Sequence, residues 1–345
     1  MRYVDYVMGK AIMRLRDGIE GMELDLTSKV NWRNSTLVLI CALLVSATSW
    51  GIFGQAEAIG QSSFNRELNV AFSELSFAGM NRNDAEAAFK AYLVSMARQR
   101  GYDMTARTEV FASASDFEAA IRAGKVHLAI IPSWDYLSMD IQDFVDPYFV
   151  AVTDEGIQQR YLLVTPRGSG LNTFAALRGK SIAVLENSNA YLSMRWMETA
   201  LLKEKLGTPD SFFGRVEKVA KASAAVLPVF FGKYQACVVN QAAFDVMKEL
   251  NPQIGERLQP VVVSEPLLGD VICLSKSGWA SAKYKENTNK GLAEIQTWPA
   301  GQQILMLFRI REMSPYKPEY LETVRALRAT HDRLAGQLAR ARQEK

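Results

Sequence analysis

Histidine and cysteine are scarce in this sequence: there are two histidines, His127 and His331, and three cysteines, Cys41, Cys237 and Cys273, with no CxxC or HExxH spacing among them. These residues alone cannot build a His/Cys metal site or a His-based catalytic triad, and no metal is expected. There is no GxSxG turn, no cysteine with a histidine close by in sequence, and no carboxylate pair placed by a motif. Without an activated nucleophile neither an enzyme nor a cofactor is expected. An excess of one charge is missing too: 40 Lys+Arg stand against 37 Asp+Glu, for a formal net charge of +3, and no extended block of like charge occurs. Nucleic acid, which needs a basic stripe, is not an expected partner. Proline is sparse, 11 in 345 residues, and 48% of residues are hydrophobic against 22% charged, so the chain is globular rather than disordered.

One long apolar run is present, Leu37 to Trp50 (LVLICALLVSATSW), with Lys29 and Arg33 before it and Ala56-Glu57-Ala58 after it. That is the order of a secretory signal: basic region, apolar region, small-x-small cleavage site. The uncharged stretch from Ser35 to Gln55 is also close to the roughly 20 residues that span a bilayer. Residues 1–58 are therefore read as a signal peptide cut after Ala58 or as an N-terminal membrane anchor, and Met22 gives a more ordinary start than Met1. Cys41 lies mid-run behind Ile40, which is not the small residue a lipidation site needs. The leader carries as many basic as acidic residues, so its removal leaves the net charge unchanged. Cys237 and Cys273, each in an apolar strand-like run, are expected as buried free thiols.

Strand and helix signals alternate from Glu67 onward. ELNVAFSEL reads as a strand, Asn83 to Arg100 as an amphipathic helix ended by Gly101, Thr105 to Phe111 as a strand, Ala114 to Ala123 as a helix closed by Gly124, and Val126 to Ile131 as a buried strand. A second series starts at Tyr161: YLLVTP is a strand, Thr173 to Arg178 a short helix, SIAVLE a strand, and Ala190 to Leu206 a helix ended by Gly207. GRVEKVAKA, the helix Ala224 to Phe231, QACVVN and the helix Ala242 to Leu250 continue it, and RLQPVVVSEPL and DVICLS are extended. Short apolar strands alternating with helices imply mainly parallel sheets, and two such series imply two α/β lobes of repeated architecture. Ligands bind where the strands of such sheets end. The polar loops at those ends supply the candidate ligand-binding residues: Ser73, Phe77, Ser133, Trp134, Tyr136, Asn187, Ser188, Asn189, Tyr191, Ser223 and Asn240.

The runs FEAAIRAGKVHLAIIPSWDYL, LNTFAALRGKSIAVLENSNAYLSMRWMETALL and AVLPVFFGKYQACVVNQAAFDVMKEL resemble the phosphate/phosphite/phosphonate substrate-binding proteins of ATP-binding-cassette (ABC) importers. The resemblance covers about residues 66 to 310. It implies a type II periplasmic binding protein: two Rossmann-like α/β lobes joined by two crossover strands, around Arg160 to Thr165 and Val261 to Cys273, with a C-terminal helix behind them. The expected division is lobe 1 from 59 to 163, lobe 2 from 164 to 261, a return to lobe 1 over 262–312, and a helical tail over 313–345. In phosphonate binders of this kind the strand after "LRGK" ends in a Gly-Ser-Thr-Ser-Gly-like loop that holds the phosphonate. Here the loop is Glu186-Asn187-Ser188-Asn189-Ala190, with one hydroxyl kept, two amides substituted, and a carboxylate beside the cradle. Backbone N–H groups at the start of the following helix would complete an anion site.

Each candidate also has an ordinary structural reading. Ser188 and Asn189 are ligand contacts or helix caps. Trp134 and Tyr136 line the cleft or pack their lobe, and Ser73, Phe77, Ser223 and Asn240 are ligands or turn residues. Met194, Trp196 and Met197 are expected in the core, and His127, inside an apolar strand, as a structural histidine. Leu321, Val324, Leu327 and Leu334 recur at helical spacing in the charged tail, which is read as a helix docking on the body. The expected function is that of an exported periplasmic monomer that captures a small phosphonate- or phosphate-like anion for the membrane subunits of an ABC importer. The alternative is a membrane-anchored sensory or accessory protein of the same fold.

Overall fold

The structure, a computed structural model, describes residues 66–77, 81–99, 101, 104–187 and 190–343; the leader at 1–58 and the loop residues Ser188 and Asn189 lie outside the described residues. The chain enters as β1 (Arg66–Ser73), α1 (Arg82–Gln99), β2 (Met104–Phe111), α2 (Ala114–Arg122), β3 (Leu128–Pro132), α3 (Ser133–Ser138), β4 (Val145–Val152) and a two-residue strand β5 (Gln158–Gln159). It continues through β6 (Tyr161–Pro166), β7 (Ser181–Leu185), α4 (Ser193–Lys203), α5 (Pro209–Phe212), β8 (Arg215–Val219), α6 (Ala222–Phe230), β9 (Ala236–Asn240), α7 (Gln241–Leu250), α8 (Pro252–Arg257) and β10 (Leu258–Val263). It returns by β11 (Leu267–Leu268), β12 (Asp270–Ser275), α9 (Ala282–Ala293), α10 (Pro299–Leu307), β13 (Glu312–Pro315) and α11 (Glu322–Gln343). Local chemistry sets several of these bounds. Ser113 accepts from the Asp116 N–H at 3.2 Å and opens α2, whereas Gly124, at φ +68, turns the chain out of it.

The larger strands form two sheets, in the orders β13-β4-β12-β3-β1-β2 and β10-β6-β9-β7-β8. In each, three parallel strands (β2-β1-β3 and β8-β7-β9) are followed by an antiparallel strand arriving from a crossing, β12 or β6. The two crossings lie side by side as the antiparallel pair β5/β11, with Leu267 opposite Gln159. Because side chains alternate across a strand, Val70, Phe72, Leu128, Ile272 and Leu274 face α1, α9 and α10, and Ala71, Ala129, Ile131, Val271 and Cys273 join the larger core on the opposite face. His127 Nδ1 accepts from the Asn69 N–H at 3.0 Å, its Nε2 lies 3.0 Å from the Gly278 carbonyl, and its ring rests on Trp279, so it is a structural histidine. Cys237 in β9 and Cys273 in β12 are buried free thiols, and Trp196 and Met197 are core residues.

Some elements depart from the expected pattern. The helix expected from Ala190 begins at Ser193, because a turn closed by Ala190 N–H to the Asn187 carbonyl (2.9 Å) comes first. Tyr161–Pro166 is a strand of the second sheet, and the crossing lies just before it. Residues 312–315 form an edge strand on β4, where a helical tail is expected from 313; four residues ending in Pro315 are too few to show a period. In β4 the alternation is interrupted at Pro147, which sits at a register shift against β12. The tail buries Leu321, in the 3-10 turn Pro318–Leu321, and Val324 of α11, and its approach touches both crossings: Gln158 Nε2 donates to the Tyr320 carbonyl at 3.0 Å and Thr323 Oγ1 to the Pro266 carbonyl at 2.6 Å.

Candidate functional site

The carboxyl ends of the parallel strands in both sheets meet the crossings. Asp270, the first residue of β12, pairs with Pro132 at the end of β3, and Tyr161, the first of β6, pairs with Asn240 at the end of β9. This follows from topology: an antiparallel strand entering next to a parallel one starts where its neighbour stops. Polar loop residues of both lobes and the crossing backbone are thereby collected at one edge.

Tyr191, from the second lobe, reaches the first. Its hydroxyl accepts from the Ser133 N–H at 3.0 Å, lies 3.3 Å from Ser133 Oγ, and donates to the Gly269 carbonyl. Ser133 is fully buried, with its Oγ donating to the Leu268 carbonyl at 2.8 Å and its N–H also directed at the Gly269 carbonyl. Burial raises the Tyr191 phenol well above its usual range, so it remains a donor at any physiological pH. Nearby, Ser76 Oγ donates to Asp270 Oδ1 at 3.5 Å, and Asn240 Nδ2 donates to Gln159 Oε1 at 3.2 Å. Burial pushes the Asp270 carboxyl up to about 7; Asp135 adds to the effect and the Ser76 hydroxyl offsets part of it.

Tyr191, Gln159, Asp270, Ser76 and Thr153 border a cavity of about 90 Å³ that continues beneath the first sheet, between the sheet and α10, where its wall becomes apolar. None of its described lining residues is basic.

Comparison with known proteins decides the family. The sequence matches "ABC transporter, phosphonate, periplasmic substrate-binding protein" over residues 78–321, most of the chain. The protein belongs to this family. Its fold is that of type II periplasmic binding proteins. A Xanthomonas citri protein, XAC2383, solved with chloride and with ATP, is similar at TM-score 0.58 and 14% identity, covering 79% of this chain and 99% of its own. PhnD1 of Prochlorococcus marinus, in complex with methylphosphonate, is similar at TM-score 0.53 and 13% identity, covering 76% of this chain and 97% of its own. A binding-protein component of an ABC phosphonate transporter from Pseudomonas aeruginosa gives 0.51 and 14%, covering 81% and 100%. At such identities the likeness shows the fold alone. No curated protein sequence matches the chain. The family is periplasmic, its members serve ABC importers, and no helix among the described residues is long and apolar enough to cross a membrane.

Of the residues singled out by sequence, the substrate-binding protein brings Ser133 and Tyr191 into direct contact, and Asn240 joins their edge through Gln159. Ser73 ends β1, buried, with its Oγ accepting from the Leu75 N–H at 3.4 Å in a local turn. Trp134 and Tyr136 turn toward the tail: the Trp134 ring lies edge-on to His331, 5.3 Å between centroids, under the Arg195 guanidinium, and Tyr136 borders a surface groove with Tyr316 and Arg325. Asn187 donates to the Ala220 carbonyl at 3.0 Å and ties its loop to the end of β8. Ser223 stands exposed in the first turn of α6. The Phe77 side chain, like Ser188 and Asn189, lies outside the described residues. Glu186, the carboxylate beside the loop, is paired with Lys218 at 3.1 Å, which offsets its charge. The sequence reading missed Asp270 and Gln159 as site residues. Each flanks a crossing, and the crossings were the available signal.

Proposed function

We propose that this protein captures a small ligand between its lobes and presents it to the membrane subunits of an ABC importer, as an exported protein that binds its ligand without transforming it. The observation that carries the reading is Tyr191, a lobe-two residue whose hydroxyl is seated on the Ser133 N–H and the Gly269 carbonyl of the first lobe and crossing, a contact that ties the two lobes together. The anionic head of the ligand is assigned to the loop 186–190. Its amides and Ser188 hydroxyl are suited to oxyanion recognition, and the Glu186–Lys218 pair removes the local objection to an anion. The family description, which names phosphonate, supports an anionic ligand.

Titration calorimetry with methylphosphonate, inorganic phosphate and chloride tests it. The expected result is saturable binding of methylphosphonate, with a rise in Tm because the ligand binds the native state alone. Absence of binding by every oxyanion, with the protein folded, rejects the anion reading.

A further inference from the structure

The groove between α3 and the tail holds polar groups that the cleft between the lobes leaves unused. Its volume is about 520 Å³, and its polar lining comes from Tyr136 of α3, Tyr316 just past β13, and Arg325, Arg328 and Asp332 of α11. None of its lining residues borders the cavity under the first sheet. The backbone around it is fixed: Gln142 Nε2 donates to the Tyr136 carbonyl at 3.2 Å, the Tyr316 N–H donates to the Tyr148 carbonyl at 2.9 Å, and Val324 is buried beside Arg325. Tyr136 is only 7% exposed, yet neither its hydroxyl nor that of Tyr316 has a hydrogen-bond partner among the described residues. Polar groups buried to this degree normally have one. Burial raises both phenols above their ordinary value of 10.0, and Arg325 stands close enough to offset part of the rise in each, so both remain neutral donors at physiological pH. Arg325 is exposed and has no ion pair among the described residues. Arg328, in contrast, is matched by Asp332, whose Oδ2 is 3.4 Å from its Nε. Of the other carboxylates near the phenols, Asp146 pairs with Lys276 at 3.5 Å, and Glu319 is exposed and does not line the groove. One guanidinium and two O–H donors are left uncommitted.

A planar guanidinium matches the two oxygens of a carboxylate. A single uncommitted positive charge suits a monoanion rather than a dianion, and Glu322, in the adjoining hollow beyond Arg325, repels further negative charge. Leu137 and Ala329 give the groove an apolar wall for an organic body. We infer that this groove is a second ligand site, separate from the cleft, and that it takes a small organic carboxylate held by the Arg325 guanidinium and the Tyr136 and Tyr316 hydroxyls. The occupant joins α3 of the first lobe to α11, which also packs on α4 of the second, so it fastens the element that lobe opening must displace. The inference does not depend on what the cleft binds.

Titration calorimetry with benzoate tests it, with benzamide as the uncharged analogue of similar shape. Benzoate is expected to bind saturably and benzamide not to bind. Tyr136→Phe and Tyr316→Phe, which keep the rings and remove only the hydroxyls, are each expected to weaken benzoate about two- to tenfold, and Arg325→Ala about tenfold to a hundredfold. All three variants are expected to keep the Tm of the free protein, because none of the removed groups has a hydrogen-bond or ion-pair partner among the described residues. A purely structural role for the phenols predicts the reverse, a lowered Tm with benzoate affinity unchanged, and that result overturns the inference. So does the absence of benzoate binding by the folded protein, or binding of benzamide as tight as that of benzoate. Benzoate affinity that all three variants leave unchanged places the carboxylate elsewhere on the molecule and overturns it as well.

Discussion

Tyr191 shows how one hydroxyl can couple two lobes. Tyr191→Phe removes the hydroxyl but leaves the Ser133 N–H directed at the Gly269 carbonyl, so the fold should persist. The lost hydrogen bond is worth about 0.5–1.5 kcal/mol, which predicts roughly two- to tenfold weaker ligand binding by calorimetry, with little change in the Tm of the free protein. Asp270 offers a pH test. Its carboxyl titrates near pH 7 when folded, held up mainly by burial, and near the ordinary value of about 3.9 when unfolded. Between those values the unfolded chain has released a proton that the folded protein keeps, so stability falls as pH rises from about 4 to 7 and stays lowered above it. Asp270→Asn is expected to melt above the wild type at pH 8 and to match it near pH 4. Glu155, also pushed to about 7 by burial, contributes a slope of the same sign, so the comparison between the two proteins isolates Asp270. At the loop, Ser188→Ala tests ligand contact, since the N-cap position of α4 is Leu192. Loss of a hydroxyl donor to a charged ligand costs about 1.5–3 kcal/mol of affinity by calorimetry, whereas a hydroxyl that does not touch the ligand leaves affinity unchanged.

Among the elements, α11 is the one whose position carries consequences. It lies against α4 of the second lobe, against Trp134 of the first, and beside both crossings, so opening the lobes must move it or slide along it. Its charged contact is His331, whose Nε2 is 3.2 Å from Glu198 Oε2 on α4, with Asp332 and Arg195 as neighbours. The Glu198 carboxylate holds the His331 imidazole above its ordinary value of 6.5, and the histidine holds Glu198 below its ordinary 4.5. The histidine's contribution is present below pH 6.5 and is lost as pH rises through its raised folded value. The glutamate's contribution is present above pH 4.5 and is lost as pH falls through its lowered one. The contact is at full strength between those limits. Hydrogen exchange on α11 should therefore quicken as pH rises above 6.5, through the raised His331 value, beyond the intrinsic rise, and Glu198→Gln should abolish that extra rise. The apolar spacing of Leu321, Val324 and Leu327 made this helix legible in the sequence. Its seat was not legible, because periodicity defines a face and not the surface that the face meets.

For the molecule as a whole, two lobes joined by a paired crossing are expected to close as rigid bodies on binding. Small-angle scattering should show a smaller radius of gyration at saturating ligand, and an unchanged one would reject closure. N-terminal sequencing of exported protein should read from Ile59 if the leader is cut at Ala56-Glu57-Ala58.

By itself the sequence determined the elements and the family. The apolar runs of β3, β7, β9 and β12 and the glycines that end the helices are local signals with local causes, and the order of strand and helix already implied two parallel-sheet lobes. Ser133, Tyr191 and Asn240 were legible as candidates because strand-end position follows from strand order. Tertiary structure alone decided which of them meet. Trp134 and Tyr136 stand one and three residues after Ser133, yet α3 turns them toward the tail while Ser133 stays at the crossing, a rotation fixed by packing that no spacing records. Asp270, Gln159 and the apolar cavity were likewise invisible in one dimension. The cavity is lined by residues from seven strands and two helices that only the sheet and α10 bring together, and its space belongs to the packing rather than to any residue.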